Sequence, residues 1–342
     1  MEKHKKIIWI LHAGLGHKSP YFYNLINELR NYNNYNIITK GDMPNQKTQN
    51  GVVYFNRLKR YYDNNDITSI QKFINNIDAV KNNGWKTMIT IHNFFPIDRK
   101  MNENDEYCLK EVLKRMDIIF TITPFMKISL EKKLHFKSVS HSIGINSLNE
   151  FNVKVKIPKF SRNDFIFTFI GNIYEYKMLN SVIRAFNSLN NKNVYLIIAG
   201  PSNDKFNLVY ENKANIIRID EFIGENAWKE ISRITDIFIN TYNIKEPFFK
   251  YGFYPSNCIQ IMKENKICIV PKSKVIEEIL PKGFYYAYDS EKSLCELMEK
   301  VLKKKKEIVN KEKKYPRNLY KKYSWASTAK IIIDTMEDKF KW

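Results

Sequence analysis

Short unbroken apolar runs alternate along the whole chain with longer stretches in which apolar residues recur every three or four positions. An unbroken run suits a strand buried on both faces, and the three-to-four spacing suits a helix with one buried face. Lys6–Leu11 reads as the first strand. Pro20–Tyr32 follows as a helix, with Pro20 at its start and Phe22, Leu25, Ile26 and Leu29 on one face. The series continues with a strand at Gly51–Phe55 and a helix at Ile67–Asn82, which Asn83-Gly84 ends. Next come a strand at Lys86–His92, a helix at Glu106–Arg115, a strand at Asp117–Ile122 and a helix at Pro124–Lys133.

The pattern lapses between about Asn146 and Asn163. Asn152–Asn163 is polar and basic, contains Pro158 and has no helical face, as expected of a linker. A second series then begins. Phe165–Ile170, Val194–Ala199, Ile216–Ile219, Asp236–Asn240 and Ile267–Val270 read as strands. Leu179–Leu189, Glu225–Ile234, Ser256–Lys263, Ser290–Lys305 and Trp325–Phe340 read as helices. Two such series predict an α/β protein of two Rossmann-like, doubly wound domains facing each other across a cleft. Ligands would bind beyond the carboxyl ends of the strands. The expected division is 1–150, a linker at 151–163, a second domain at 164–323 and a terminal helix in 324–342. A length of 342 residues suits two domains.

Composition and charge change this picture. No apolar run approaches the roughly 20 residues that a spanning helix needs. Met1–Lys6 followed by Ile7–Leu11 mimics a signal peptide, but the apolar stretch is too short and His12 interrupts it, so a buried first strand and a cytoplasmic chain are expected. The four cysteines, Cys108, Cys258, Cys268 and Cys295, show no CxxC spacing, which favours core thiols over a zinc site or disulfides. The net charge of +20 favours an anionic partner: nucleic acid, acidic lipid or a phosphorylated ligand. Lysine is densest over Lys303–Lys322, which reads either as a solvated face or as a surface that docks on anionic membrane.

Several residues could carry chemistry. The run ending at Ile170 delivers Gly171, where backbone can approach a ligand closely. Lys177 stands just before a helix start, where a cation and unpaired N–H groups can share a phosphate. Gly14 and Gly16 follow the first strand and permit similar close approach. His92 ends a strand and would project into the cleft. Ser256 is positioned to cap a helix whose N-terminus could face a diphosphate.

Taken together, these stretches resemble the family-4-like glycosyltransferases of the GT-B fold (glycosyl transferases group 1). The carrying segments are Phe169-Ile170-Gly171 with Lys177 and Ile183–Phe186, Val194–Gly200, Ile216–Ile223, Asp236–Asn240 and Tyr323-Ser324-Trp325. In the N-terminal half they are Gly84–Asn93 and Ser142–Asn146. The resemblance implies transfer of a sugar from a nucleotide-sugar, with retention, and a terminal helix that returns to the N-terminal domain. The donor would contact Gly171, Asn172, Lys177, Gly200, Phe222, Ile223, Ser256, Asn257 and Gln260. His92 and Lys177 would be catalytic, and the Gly14–Gly16 loop would meet donor phosphate or acceptor.

There are departures from the family pattern. Gly252 and Gln260 stand where the family carries two glutamates, so Glu246 is the candidate substitute carboxylate. Asn172 replaces an arginine, and Met178 replaces the glycine after the lysine. No Asp-x-Asp occurs, so neither metal nor other cofactor is expected. The expected partners are a nucleotide-sugar, a saccharide or polyprenyl-diphosphate-linked acceptor of surface-polysaccharide synthesis, and the inner face of an anionic membrane. Two rival readings are a catalytically inactive, glycosyltransferase-like binding subunit and a glucosyltransferase that modifies nucleic acid. The second lacks any basic–aromatic recognition motif.

Overall fold

The computed structural model describes residues 5–12, 20–56, 66–94, 102–144, 157–202, 214–246, 249, 251–304 and 321–342. The chain divides into two units. One comprises Met1–Asn146, Pro247–Tyr254 and Lys321–Trp342, and the other Ser147–Glu246 and Pro255–Tyr320. Pro247–Tyr254 therefore packs with the first unit, although the sequence division places it within 164–323. Much of the expected linker, and most of Lys303–Lys322, lie outside the described residues.

The first unit is built on six parallel strands: β1 (Lys6–Leu11), β2 (Tyr35–Lys40), β3 (Gly51–Phe55), β4 (Lys86–Ile91), β5 (Ile118–Thr121) and β6 (Val139–Ser140). Their order is β2-β1-β3-β4-β5-β6. Among the described residues the helices beside them include α1 (Pro20–Arg30), α2 (Ile67–Asn82), α3 (Glu103–Arg115) and α4 (Pro124–Leu134). Every residue of β3 is buried, which explains its unbroken apolar run. β2 breaks the rule because it is an edge strand with only Tyr35 fully buried, so no apolar pattern marks it. α3 begins a turn earlier than its apolar spacing predicts. Asn102 and Asp105 form a capping box there, and acidic Glu103, Asp105 and Glu106 favour the helix N-terminus.

The second unit holds β7 (Phe165–Ile170), β8 (Val194–Ala199), β9 (Ile216–Ile219), β10 (Ile237–Ile239), β11 (Cys268–Pro271) and β12 (Tyr285–Tyr288). All pair in parallel in the order β12-β11-β10-β7-β8-β9. The helices are α5 (Leu179–Ser188), α6 (Glu225–Ile234), α7 (Ser256–Lys263), α8 (Lys274–Ile279) and α9 (Glu291–Lys303). Phe165, Phe167 and Phe169 share one face of β7. They pack with Leu179, Val182 and Phe186 of α5 and with Leu294, Met298 and Val301 of α9. β12 and α8 have no counterpart in the sequence reading: β12 has no fully buried residue, and α8 is only six residues long.

A tenth helix, α10 (Trp325–Phe340), belongs to the first unit. Ser324 caps it by accepting from the Ser327 N–H, and Ala329, Ile332, Ile333 and Met336 are buried along one face. Thr328 Oγ1 donates to the Ser142 carbonyl at 2.5 Å. At the far end Lys6 Nζ meets Glu337 at 2.7 Å, and the Tyr35 hydroxyl donates to the same carboxylate. Among the described residues no helix is long and apolar enough to cross a membrane.

The Trp325 ring lies against Gly144 so closely that a Cβ there would come within 2.5 Å of Trp325 Cγ. Because a backbone nitrogen of α10 is equally near, a side-chain rotation cannot relieve the clash. Gly144→Ala is expected to destabilise the protein by about 1–3 kcal/mol. Urea unfolding monitored by tryptophan fluorescence checks this, and an unchanged midpoint contradicts it.

Candidate functional site

Gly171 and Gly200 sit at the carboxyl ends of adjacent strands β7 and β8, with φ of +139° and +133°. A Cβ on Gly200 would collide with the Gly171 carbonyl oxygen, so both backbone conformation and space require glycine. Asn257, in the first turn of α7, donates from Nδ2 to the Ile170 carbonyl at 2.6 Å. That bond ties the start of α7 to the end of β7. Gln260 lies one turn further along α7 and is buried. Asn172 is exposed beside Gly171.

Ser256 does not cap α7 as the sequence led us to expect. Pro255 occupies the cap position and makes no side-chain bond, and Ser256 is the exposed first helical residue. Proline has no side-chain acceptor, so the helix starts without the usual side-chain oxygen on its leading N–H groups. The Pro255 carbonyl still accepts from the Cys258 N–H at 2.9 Å.

Lys177 closes a single 3₁₀ turn, Glu175–Lys177, between β7 and α5. It is only 7% exposed, and its Nζ stands 4.0 Å from the centroid of the Tyr242 ring and 5.3 Å from that of Tyr176. Among the described residues no carboxylate lies within ion-pair distance of it. Burial pushes the ammonium down to about 7 from an ordinary 10.5. The amine is therefore poised between charged and neutral near physiological pH.

Glu246 joins the same neighbourhood. The Asn243 N–H donates to the Tyr176 carbonyl at 2.7 Å, which fastens the loop after β10 to the turn that carries Lys177. Asn243 Nδ2 then donates to Glu246 Oε1 at 3.0 Å. Gly252, aligned with a family glutamate, is instead buried in the first unit at φ +106°, against Met126. A carboxylate there would have no room.

Sequence reasoning missed an arginine that braces the loops after β8 and β9. Arg218 donates to the carbonyls of Ile198, Ile219 and Gly200 at 2.7–3.0 Å and pairs with Asp220 at 2.6 Å. Asp220 in turn accepts from the Ser202 backbone and hydroxyl. The cue was present as the polar Arg218 inside an otherwise apolar run. Just beyond, Phe222 is 53% exposed while Ile223 is buried in the core. The two residues therefore play different parts.

In the first unit, His92 follows β4 and packs edge-on against Tyr21, with ring centroids 4.4 Å apart. Tyr21 packs in turn against Trp325 at 4.9 Å. A buried polar chain also passes unnoticed in the sequence. Tyr54 OH and Thr90 Oγ1 are 2.6 Å apart, and Thr90 Oγ1 lies 3.4 Å from His141 Nε2. His141 Nδ1 reaches the Ser142 carbonyl at 3.0 Å, so Nδ1 carries the proton. Burial pushes His141 down to about 4, so it is neutral at physiological pH. Gly14 and Gly16 lie outside the described residues.

The model of the family described as glycosyl transferases group 1 matches residues 151–322. The chain belongs to this family. It is a glycosyltransferase, and the glycines, lysine and α7 start described above lie within the matched segment. No curated protein matches the chain. Among solved structures, it is similar to sucrose-phosphate synthase from Thermosynechococcus elongatus at 10% identity and a TM-score of 0.68, covering 98% of this chain and 100% of that one. Anabaena HepE in complex with UDP and glucose matches at 10% identity and TM-score 0.63, with the same coverage. The catalytic domain of starch synthase IV from Arabidopsis thaliana, bound to ADP and acarbose, matches at 11% identity and TM-score 0.63, covering 99% and 100%. At these identities the likeness establishes the GT-B fold.

Membership also gives physical meaning to one departure. Met178, where family-4-like glycosyltransferases resemble one another in having glycine, adopts φ +52°, a left-handed conformation that costs a residue with a Cβ about 1–2 kcal/mol. Its side chain is partly exposed, so little packing is lost on removal. Met178→Gly is expected to stabilise the protein by about 0.5–1 kcal/mol, since the greater freedom of glycine in the unfolded chain offsets part of the relief. A lower denaturation midpoint for this variant would contradict that account.

Proposed function

We propose that this glycosyltransferase takes a nucleotide-sugar donor on its second unit and, without metal, transfers the sugar with retention to a saccharide or lipid-linked acceptor on the first. The observation that carries the reading is Lys177: a buried amine with no carboxylate within ion-pair distance among the described residues, at the carboxyl end of the central strand and beside a helix start lacking a side-chain cap. Bond cleavage at the sugar leaves negative charge on a diphosphate. A preplaced cation and oriented N–H groups stabilise that developing charge. The relatives crystallised with UDP and glucose, or with ADP, support a donor of the same chemical class.

The other residues take supporting parts. Gly171 and Gly200 let the donor approach the backbone, with Asn172 and Asn257 at the rim. Gln260 holds the ribose, and the exposed Phe222 flanks the base with the buried Ile223 backing it from the core. Glu246 supplies the carboxylate that Gly252 lacks. His92 orients the reacting sugar or acceptor hydroxyl, and the Gly14–Gly16 loop meets donor phosphate or acceptor. The high positive charge suits a peripheral position on the inner face of an anionic membrane, where a polyprenyl-diphosphate-linked acceptor resides. A second reading, a catalytically inactive binding subunit, draws on the occupied space around Gly252. Donor hydrolysis or transfer by the purified chain eliminates it.

Lys177→Met tests the central claim. Removing the cation from a charge-assisted contact is expected to weaken UDP, GDP or ADP, whichever the wild type binds, by about a hundredfold. The same change removes a desolvated charge from the core, so Tm should rise by about 2 °C. Unchanged nucleotide affinity and turnover in this variant would sink the phosphate role.

The pH dependence follows from the depressed lysine. An anion that binds the protonated form takes up a proton, so affinity falls as pH rises above about 7, by about tenfold per unit. Between pH 7 and 10.5 the unfolded chain holds this proton and the folded one does not. The contribution of this group to stability therefore increases with pH across that window. Calorimetric titration at pH 6.5, 7.5 and 8.5 checks the first trend, and a flat profile contradicts it.

A further inference from the structure

We propose that Tyr242 is the positioning residue for Lys177, its ring face taking the place of the carboxylate that would ordinarily anchor a buried lysine. This rests on the phosphate role of Lys177 for its functional consequence, but not for the contact itself.

The geometry is specific. Nζ stands 4.0 Å from the Tyr242 ring centroid, well inside the roughly 6 Å over which the negative face of an aromatic ring attracts a cation. Tyr176 contributes a second, more distant ring at 5.3 Å. Tyr242 is itself 7% exposed, so water screens the contact little. The ring is also held from outside. The next residue, Asn243, donates its N–H to the Tyr176 carbonyl at 2.7 Å, which fastens the loop after β10 to the turn carrying Lys177. Burial and the neighbouring Cys258 and Tyr176 push the Tyr242 hydroxyl well above its ordinary value. A hydrogen bond to Asn240 counters this only in part, so the ring stays neutral.

The choice of a ring over a carboxylate has a chemical consequence. A carboxylate would neutralise the ammonium and compete with an incoming diphosphate for it. A ring stabilises the cation in place yet leaves its N–H donors uncommitted to an anion. The groups facing Nζ from the elements packed around it are Tyr176 of its own turn, Tyr242 of the β10 loop and Cys258 of α7. Burial raises both tyrosine hydroxyls, so neither ring carries a negative charge at neutral pH.

The test separates this contact from the donor reading. The full-length chain is labelled at lysine Cε, and the Lys177 resonance, assigned by its loss in Lys177→Met, is titrated without nucleotide. Tyr242→Phe should keep the midpoint within about 0.3 pH units of wild type. Replacing the ring with progressively fluorinated phenylalanines, which keep its shape and weaken its negative face, should lower the midpoint stepwise. The fully fluorinated ring should move it by about one unit. UDP binding at pH 7.5 should fall by about tenfold over the same series, and thermal unfolding should stay near wild type. A Lys177 midpoint that ignores fluorination overturns the proposal, whatever nucleotides bind. A midpoint that follows fluorination while no nucleoside diphosphate binds the wild type upholds the contact and rejects the donor role.

Discussion

Parallel pairing is the constraint on which the rest of each unit depends. A parallel sheet needs a crossover between successive strands, and the crossovers cover both faces with helices. β7 shows the result: six residues, none exposed, with three phenylalanines set into one helical layer. With the strand fixed from both sides, its carboxyl end is fixed too. Gly171 can then pass so near Gly200 that no side chain fits between them. The same requirement brings the ends of β7, β8 and β10 and the start of α7 to one edge of the sheet, where Lys177 is enclosed.

The elements legible in the sequence were those with buried faces. β1, β3, β7, β8 and the helices α2, α6, α7 and α10 fall where apolar spacing places them, because burial on the inside writes the pattern, whereas β9, an edge strand with only Ile219 fully buried, was legible from its isoleucines alone. β2, β6, β12 and α8 were not legible. The strands are edge strands, one of only two residues, held by backbone pairing more than by an apolar face, and α8 buries Val275, Ile276 and Ile279 but is too short to show a helical period. Of the candidate site, Gly171, Gly200 and Lys177 could be singled out in the sequence, since strand ends and helix starts draw notice to both residue types. Its second layer was not. Tyr242, Asn243 and Arg218 act through hydrogen bonds and ring contacts between residues far apart in the chain, and single-chain spacing carries no record of those. The Ser256 cap failed because Pro255 took the position that an acceptor side chain normally holds.

The net charge of +20 takes on a different meaning beside this arrangement. Many cations that the structure describes are on the surface, and several are paired along helices, such as Lys110 with Glu106 and Lys330 with Asp334. Exposed pairs of that kind contribute little to stability and are screened by salt. Lys177 differs in kind: it is desolvated, and a low-dielectric setting strengthens its field at short range. Its location, not the number of positive residues, makes it suited to a diphosphate. A surplus of surface lysine can raise the local concentration of an anionic ligand, but it cannot hold one in register. On the proposed donor reading the buried amine does, and the desolvation that depresses its affinity for a proton is the energetic penalty of that placement.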